Sequence, residues 1–395
     1  MNRPTVAHLL PAYNPFPPVY PAGTELRVEQ VSLRQQRYRP TVICAAFTGQ
    51  PAQETTGVMT IRRITTGRVY RRLFQKMTRL DPSPYTARMW RIVQQESARL
   101  IHIHNEPKLL TGLAPYLEKL PLPTIVHVAN EKPLPKNALS LVTRWVACSR
   151  YIKQWIAGNG VPPEKIDVIY TGVDTSGRPA WWDVSAERRT VLRRHYGIVE
   201  DNAVVILFAG RLVKEKGVVE LLDAFAQLRA SATHPLYLLV AGNVRASNDP
   251  KNEKAAYGRA VVERMAREPR VQWVGSLAPA DMHDFFLAGD LFALTSIWPD
   301  PFPTVMLEAA AAGLPILGSA LGGIVEFLDG CPGVPMIHEP KSAQHWTEGL
   351  APLVENVALR HEAGRWLRAK VDADFGWDRV AQDFETLYDA LLAKP

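Results

Sequence analysis

Cysteine is scarce in this 395-residue chain: only Cys44, Cys148 and Cys331 occur, and they lie far apart. Such spacing suggests neither a disulfide framework nor a cysteine zinc site, and it fits a reducing cytosol. No segment reaches the uninterrupted apolar length of a membrane helix. The N-terminus, MNRPTVAHLLPAYNPFPP, holds only a short apolar run broken by prolines, so the chain reads as neither exported nor membrane-spanning. Neither half shows GxGxxG after its first strand, which disfavours a nicotinamide dehydrogenase. What remains is a globular composition long enough for two domains, each with a full core.

Acidic residues are also scarce in one half. Residues 1–178 carry 24 Lys and Arg against 11 Asp and Glu, a net of +13, whereas the remainder carries 22 against 28, a net of −6. Ten of the cations lie between Arg62 and Arg99, against only Asp81 and Glu96. Within that stretch Val69, Tyr70, Leu73, Phe74, Met77 and Leu80 recur at helical spacing, with Arg68, Arg72, Lys76 and Arg79 on the other side. This is the pattern of a basic amphipathic helix lying on an anionic membrane surface, or of a core-packing helix with a solvated cationic face. No nucleic-acid recognition motif accompanies the charge.

Strands are expected over 6–11, 41–47, 58–64, 100–104, 124–129, 145–147 and 166–170, alternating with helices over about 24–36, 67–80, 84–98, 107–119 and 149–158. Strand and helix alternating this often predict an α/β, doubly wound parallel sheet, with ligands beyond the strands' C-terminal ends. There the first strand is followed by Gly23-Thr24, a glycine at a helix start where backbone can approach a phosphate. The fourth strand ends in His102-Ile103-His104-Asn105-Glu106, with both histidines on one face. They resemble a metal pair, but no third ligand is evident, so no metal is expected. His127, Asn130 and Glu131 form a similar polar cluster one strand on. A linker with a charged helix follows, between Gly172 and about Asp201.

The second half opens with the buried strand 204–209, which empties into Gly210-Arg211-Leu212-Val213-Lys214-Glu215-Lys216-Gly217. Arg211 and Lys216 at the open end of a parallel strand make a diphosphate clamp, although the spacing is not that of a P-loop. Further strands are expected at 236–241 (ending in Gly242-Asn243), 271–274, 291–294, 315–318 and 334–337. The loop Trp298-Pro299-Asp300-Pro301 then leads into a helix whose first turn is Pro303, Thr304 and Val305. Such a start gathers unpaired N–H groups suited to phosphate. Glu308 follows on an otherwise small, apolar helix without a local partner, and Asp300 precedes it by eight residues. Two acids thus flank one helix N-terminus, a set able to hold sugar hydroxyls. Asp372-Ala373-Asp374 spells the signature of metal-dependent GT-A enzymes, but it follows a long helical stretch and reads as a helix-capping turn.

In order, GRLVKEKG, an apolar strand ending in AGN, VQWVG, and DPFPTVMLEAAAAGLPILGSALGGIVE resemble the family 4 retaining glycosyltransferases, the glycosyl transferases group 1. CSRYIKQWIAGNGVPPEKIDVIYTGVD, IHIHNEP and FGWDRVAQDFETLYDAL resemble other parts of the same family, so the likeness spans nearly the whole chain. It implies a GT-B fold: Rossmann-like domains over 1–178 and 179–375 facing across a cleft, and a helix over 376–395 crossing back to the first. It implies that Arg211 and Lys216 bind the donor diphosphate and that Glu308 binds the ribose. Asp300 would reach the donor sugar, where the family usually has Glu. The backbone of Phe302 and Thr304 would face sugar and phosphate, Gly23 and Gly210 would approach the phosphates, and the loops around Gly242 and Val274 would read the base. His104 would stand beside the donor sugar, with Asn105, Glu106, His127 and Asn130 as acceptor contacts. The donor phosphate itself would take the acceptor proton.

What the resemblance implies is a retaining, metal-independent hexosyltransferase without a cofactor, using a nucleotide sugar, UDP-hexose before GDP-mannose. The acceptor is a glycan or lipid-linked molecule in cell-surface polysaccharide or lipopolysaccharide synthesis. The expected place is cytoplasmic; the skewed charge and the basic helix, rather than the resemblance, favour a peripheral position on the inner face of the membrane over a soluble enzyme. Because Asp300 is shorter than Glu and Pro303 stands where glycine is common, the alternative is a non-catalytic nucleotide-sugar-binding subunit.

Overall fold

The structure, a computed structural model, describes residues 3–19, 22–65, 84–244 and 252–393. The expected basic helix over 67–80, with Arg68, Arg72, Lys76 and Arg79, lies outside the described residues. The chain divides into two compact units, 1–171 with 377–395, and 172–376.

In the first unit eight strands form one sheet: β1 Thr5–Leu9, β2 Arg39–Ala45, β3 Gln53–Thr56, β4 Met59–Ile64, β5 Leu100–His104, β6 Thr124–Val128, β7 Arg144–Ala147 and β8 Ile166–Val168. Their order is β3-β4-β2-β1-β5-β6-β7-β8, parallel except for the β3–β4 hairpin. The helices are α1 Gly23–Leu33, α2 Tyr85–Gln95, α3 Leu109–Leu117 and α4 Arg150–Gly158. The sheet's direction of growth reverses between β1 and β5, and the loops above that point are the expected ligand crevice.

The second unit contains α5 Ala186–His195, β9 Val204–Ala209, α6 Val218–Ser231, β10 Leu236–Ala241, α7 Glu253–Met265, β11 Val271–Gly275 and α8 Met282–Ala288. β12 Leu291–Leu294, α9 Thr304–Ala311, β13 Ile316–Gly318, α10 Ile324–Leu328, α11 Ala343–Glu355 and α12 Val357–Asp374 complete it. Its parallel sheet has the order β11-β10-β9-β12-β13, so the switch point falls between β9 and β12. Residues expected to form a linker are tied into this unit: Arg189 and Arg193 both pair with the largely covered Asp290 at 2.7 and 2.6 Å. The final helix, α13 Trp377–Leu392, belongs to the first unit. Its Val380, Phe384, Tyr388 and Leu391 pack with Val6, Val31, Leu100, Ile125 and Val146.

Three expectations need correction. β3 was not foreseen, because QETT is polar and only its pairing to β4 across Gly57, at φ +58°, makes it a strand. The stretch 334–337 is not a strand: Pro335 lacks an N–H, and only Ile337 bridges to Ser319. Asp372 to Asp374 do not form a cap beyond the helix. They are the last turn of α12, with Asp372 accepting from Arg368 at 2.8 Å.

Candidate functional site

The loops above the switch point of the second unit carry the clamp expected from sequence. β9, apolar and wholly buried, ends at Ala209, and the chain turns from Gly210 through Arg211, which is exposed, to Lys216. Gly217 follows at φ +66°, where an added Cβ would lie 1.9 Å from the Thr295 carbonyl oxygen. Two loops therefore lie backbone to backbone, joined by Thr295 Oγ1 donating to Lys216 O at 2.9 Å and Ile297 N donating to Glu215 O at 3.0 Å. The contact brings the Lys216 ammonium onto the Asp300 carboxylate, with both side chains about four-fifths covered (20% and 15% exposed).

Asp300 is held from its other side by a glycine pair. A Cβ on Gly322, at φ +58°, would fall 2.3 Å from Asp300 O, and one on Gly323 would fall 1.9 Å from Pro301 O. Gly323 N donates to Asp300 O at 2.8 Å. Pro303 is the N-cap of α9 rather than a residue of its first turn, and no side chain caps that helix. Glu308 is half-buried, and its carboxylate has no hydrogen-bond partner among the described residues. Burial pushes its pKa up to about 7, with Arg178 drawing it back. Phe302 is buried, its ring stacked 5.9 Å from Phe375, and Thr304 is half-buried. Above β10 a Cβ on Gly242 would lie 1.8 Å from Gly210 O, and Trp273 Nε1 donates to Gly242 O at 2.8 Å beside half-buried Val274.

In the first unit the polar residues separate into two tiers. At the strand ends, Asn105 adopts φ +49°, donates to Thr24 Oγ1 at 3.3 Å and accepts from Ala129 N at 3.0 Å. Glu106 accepts from Tyr13 at 3.0 Å and pairs with Lys132 at 3.0 Å, while Asn130 and Gly23 are exposed. Beneath them lie four buried histidines. His8, opposite His102 in register, places Nδ1 3.0 Å from His104 Nε2 and Nε2 3.3 Å from Gln35, and Tyr388 meets His102 Nδ1 at 2.8 Å. His8 supplies the third imidazole that the sequence did not reveal: one ring nitrogen from each of His8, His102 and His104 lies within 4.8 Å of the others. Burial first, and neighbouring positive groups second, hold His102, His104 and His127 well below the ordinary histidine range. His127 and His104 thus sit below the tier of Asn105, Glu106 and Asn130 and are not surface contacts.

Residues 31–176 match Glycosyltransferase Family 4, and residues 189–368 match Glycosyl transferases group 1. Over 379 residues the chain is 32% identical to the lipopolysaccharide 1,2-N-acetylglucosaminetransferase of Salmonella typhimurium, covering 94% of each protein. The chain belongs to the group 1 glycosyltransferases. It also shares 26% identity with the spore coat protein SA of Bacillus subtilis, over 78% of this chain and 83% of that one. Among solved structures, Anabaena HepE in complex with UDP and glucose superposes on this glycosyltransferase with a TM-score of 0.74 at 20% identity, over 98% and 99% of the two chains. WaaG, described as a glycosyltransferase involved in lipopolysaccharide biosynthesis, gives 0.66 at 17%, over 98% and 99%. These likenesses show the GT-B fold.

The sequence signals for Asp300, Arg211 and Lys216 thus fall on neighbouring loops of one unit, and Glu308 falls on the helix that follows one of them. Missed were Gly217, Gly322, Gly323 and Thr295, which hold those loops together. Their signal was glycine after a cationic loop and the pair after a strand. Also missed were His8, hidden in an apolar run, and Arg27.

Proposed function

We propose that this glycosyltransferase moves a hexose from a nucleotide-diphosphate sugar to a glycan or lipid-linked acceptor in lipopolysaccharide or other cell-surface polysaccharide assembly. The reaction retains anomeric configuration and needs no metal. The observation that carries this is the unanswered, half-buried Glu308 carboxylate in the second turn of uncapped α9, in the same unit as the loop pair that presents Arg211 and Lys216. A ribose diol satisfies an unpaired, half-buried carboxylate, while helix N–H groups and cations suit a diphosphate. Arg211, Lys216 and the α9 turn then offset charge on the leaving nucleotide, and the donor phosphate takes the acceptor proton. Asp300 reaches the donor sugar once donor phosphate competes for Lys216. Gly210 and Gly242 let backbone come close to the nucleotide.

The Salmonella relative, an N-acetylglucosaminetransferase acting on lipopolysaccharide, and the HepE complexes with UDP and UDP-glucose support a UDP-hexose as donor, with GDP-mannose second. The acceptor lies against Asn105, Glu106 and Asn130. Among the described residues no helix is long and apolar enough to cross a membrane. A peripheral position on the cytoplasmic face, through the basic residues Arg68, Arg72, Lys76 and Arg79, rests on sequence alone. It would be abandoned if Arg72→Glu with Lys76→Glu left binding to anionic vesicles unchanged.

The test is calorimetric titration with UDP-glucose, UDP-galactose, UDP-GlcNAc and GDP-mannose in EDTA, with slow donor hydrolysis followed by proton NMR. One donor should bind and release its sugar first as the donor's own anomer, and Glu308→Ala should lose both. Release of the opposite anomer would refute retention. Binding without any release or transfer would favour the non-catalytic subunit, and a strict need for added Mg2+ would refute the metal-free mechanism.

A further inference from the structure

Helix α1 carries a buried charge that no described residue hydrogen-bonds. Arg27 is 3% exposed, and its Nε and Nη2 have no hydrogen-bond partner among the described residues. Glu25, equally buried two residues earlier, accepts instead from Asn14 Nδ2 at 3.0 Å. Burial lowers the guanidinium pKa to about 10, with Cys148 and then Glu25 raising it, so the group remains charged at neutral pH. Buried charges are ordinarily paired.

The level of Arg27 in the fold follows from contacts above and below it. Thr24, one turn earlier, hydrogen-bonds Asn105 at the end of β5. Val31, one turn later, packs on Leu100 and Ile125 near the starts of β5 and β6. One helical turn and two strand residues both advance the chain by about 6 Å, so Arg27 lies at the level of the histidines. There His102 Nε2, His104 Nδ1 and both nitrogens of His127 are buried without partners among the described residues. His104 and His127 are paired in register and share this face.

Unpartnered imidazoles suit either a cation or an anion. The grouping of His8, His102 and His104 by itself suits a metal ion. Four of their six ring nitrogens are, however, already within hydrogen-bonding distance of Gln35, Tyr388 or one another at the distances given above, and a dication would add to the unpaired charge of Arg27. An anion would cancel it, while neutral imidazoles can each donate one N–H. Above this level the α1 N-terminus is exposed: Gly23 faces solvent, no described residue lies within 4 Å of a Cβ built on it, and no described side chain caps that helix end.

We infer that Arg27, His104 and His127, beneath the first turn of α1, form a buried subsite for one phosphate group. The phosphate is either carried by a sugar or free in solution. The subsite is independent of the donor assignment, because Lys216 and Glu308 belong to the other unit.

The experiment measures binding of inorganic phosphate to the full chain by thermal shift and calorimetry, for the wild type, Arg27→Met, Arg27→Lys and Lys216→Met. Phosphate should raise the melting temperature of the wild type and of Lys216→Met but not of Arg27→Met. Without phosphate, Arg27→Met should melt above the wild type, because it removes an unpaired buried charge. Arg27→Lys should bind phosphate about tenfold more weakly, a point charge replacing the guanidinium fork. Glucose 6-phosphate binding about tenfold tighter than inorganic phosphate would assign the group to a phosphorylated sugar, and equal binding would assign it to the free ion. The inference is overturned by no phosphate response in the wild type, by a response that survives Arg27→Met, or by one that vanishes in Lys216→Met alone. If Arg27→Met does not fold, unchanged affinity in Arg27→Lys overturns it. A Co2+ absorption band that disappears in His102→Gln would overturn it in favour of a metal.

Discussion

The two units of this glycosyltransferase share a doubly wound topology and place polar residues above the same kind of switch point, yet they treat charge in opposite ways. In the second unit's loops the cation Lys216 is answered by Asp300, and an acid, Glu308, has no hydrogen-bond partner among the described residues. In the first unit the acids at the strand ends are answered, Glu106 by Tyr13 and Lys132, and the unanswered group is a cation, Arg27. An unpaired buried group marks where a ligand completes the structure, and its sign tells what kind of ligand. The contrast can be broken one residue at a time.

The largest effect is expected at Lys216. Lys216→Met should lower transfer by about 10²- to 10³-fold, the range for removing one preorganised charge-stabilising group. It also strands the largely covered Asp300 carboxylate, which should lower stability by roughly 1–3 kcal/mol. Adding Asp300→Asn should restore the urea midpoint but not transfer. If the double variant recovers transfer, Lys216 only neutralises Asp300 and the clamp is wrongly placed.

Glu308→Gln comes next, with donor affinity falling about 10- to 100-fold by calorimetry for loss of a charge-assisted contact. Its pH dependence has a definite sign. The carboxyl, shifted from 4.5 to about 7 mainly by burial, binds more protons folded than unfolded between those values. Its stabilisation is therefore full below pH 4.5 and is lost as pH rises through 7. Donor binding, which needs the carboxylate, should strengthen over the same rise. Melting curves of wild type and Glu308→Gln at pH 5 and pH 8 should diverge accordingly, and parallel curves would show that the desolvation is not felt.

How much of this was legible depends on the range of the signal. Buried strands such as VVILFA announce themselves by continuous apolar residues and LIHIH by its β-branched residues, and β5, β9, β10 and β12 begin and end where those runs do. Pairing across long sequence distance does not announce itself. Lys216 and Asp300 lie 84 residues apart, and His8 and His104 lie 96 apart, so neither pairing was visible and His8 passed unnoticed in its apolar run. The glycines were visible, but their reasons were not. Gly217 meets Thr295, and Gly322 and Gly323 meet Asp300 and Pro301, contacts that only the folded sheet order creates. Pro335 misled in the other direction, since a β-branched run around it suggested a strand that its missing N–H forbids.

A smaller effect, on stability, tests those loop contacts. Gly217→Ala forces a Cβ toward Thr295 O at a left-handed φ, and should destabilise the protein by about 2 kcal/mol or more, read from the urea midpoint. Because the same contact sets Lys216 onto Asp300, donor affinity should fall with it. A variant that loses stability and keeps full donor affinity would separate the brace from the clamp.

The smallest effect is expected at the matching glycine of the first unit. Gly23 has no positive φ, and a Cβ there meets nothing within 4 Å, so Gly23→Ala should leave stability within about 0.5 kcal/mol. That neutrality makes it a clean probe of the open space above α1. If a phosphate passes over or rests on the first turn, the added methyl should weaken phosphate or donor binding measurably while the melting temperature stays put. If binding is equally untouched, the glycine serves neither, and phosphate reaches Arg27 by a route that avoids the α1 N-terminus. The two glycines thus separate what a turn needs from what a ligand needs: Gly217 by strain without a ligand present, Gly23 only when one binds.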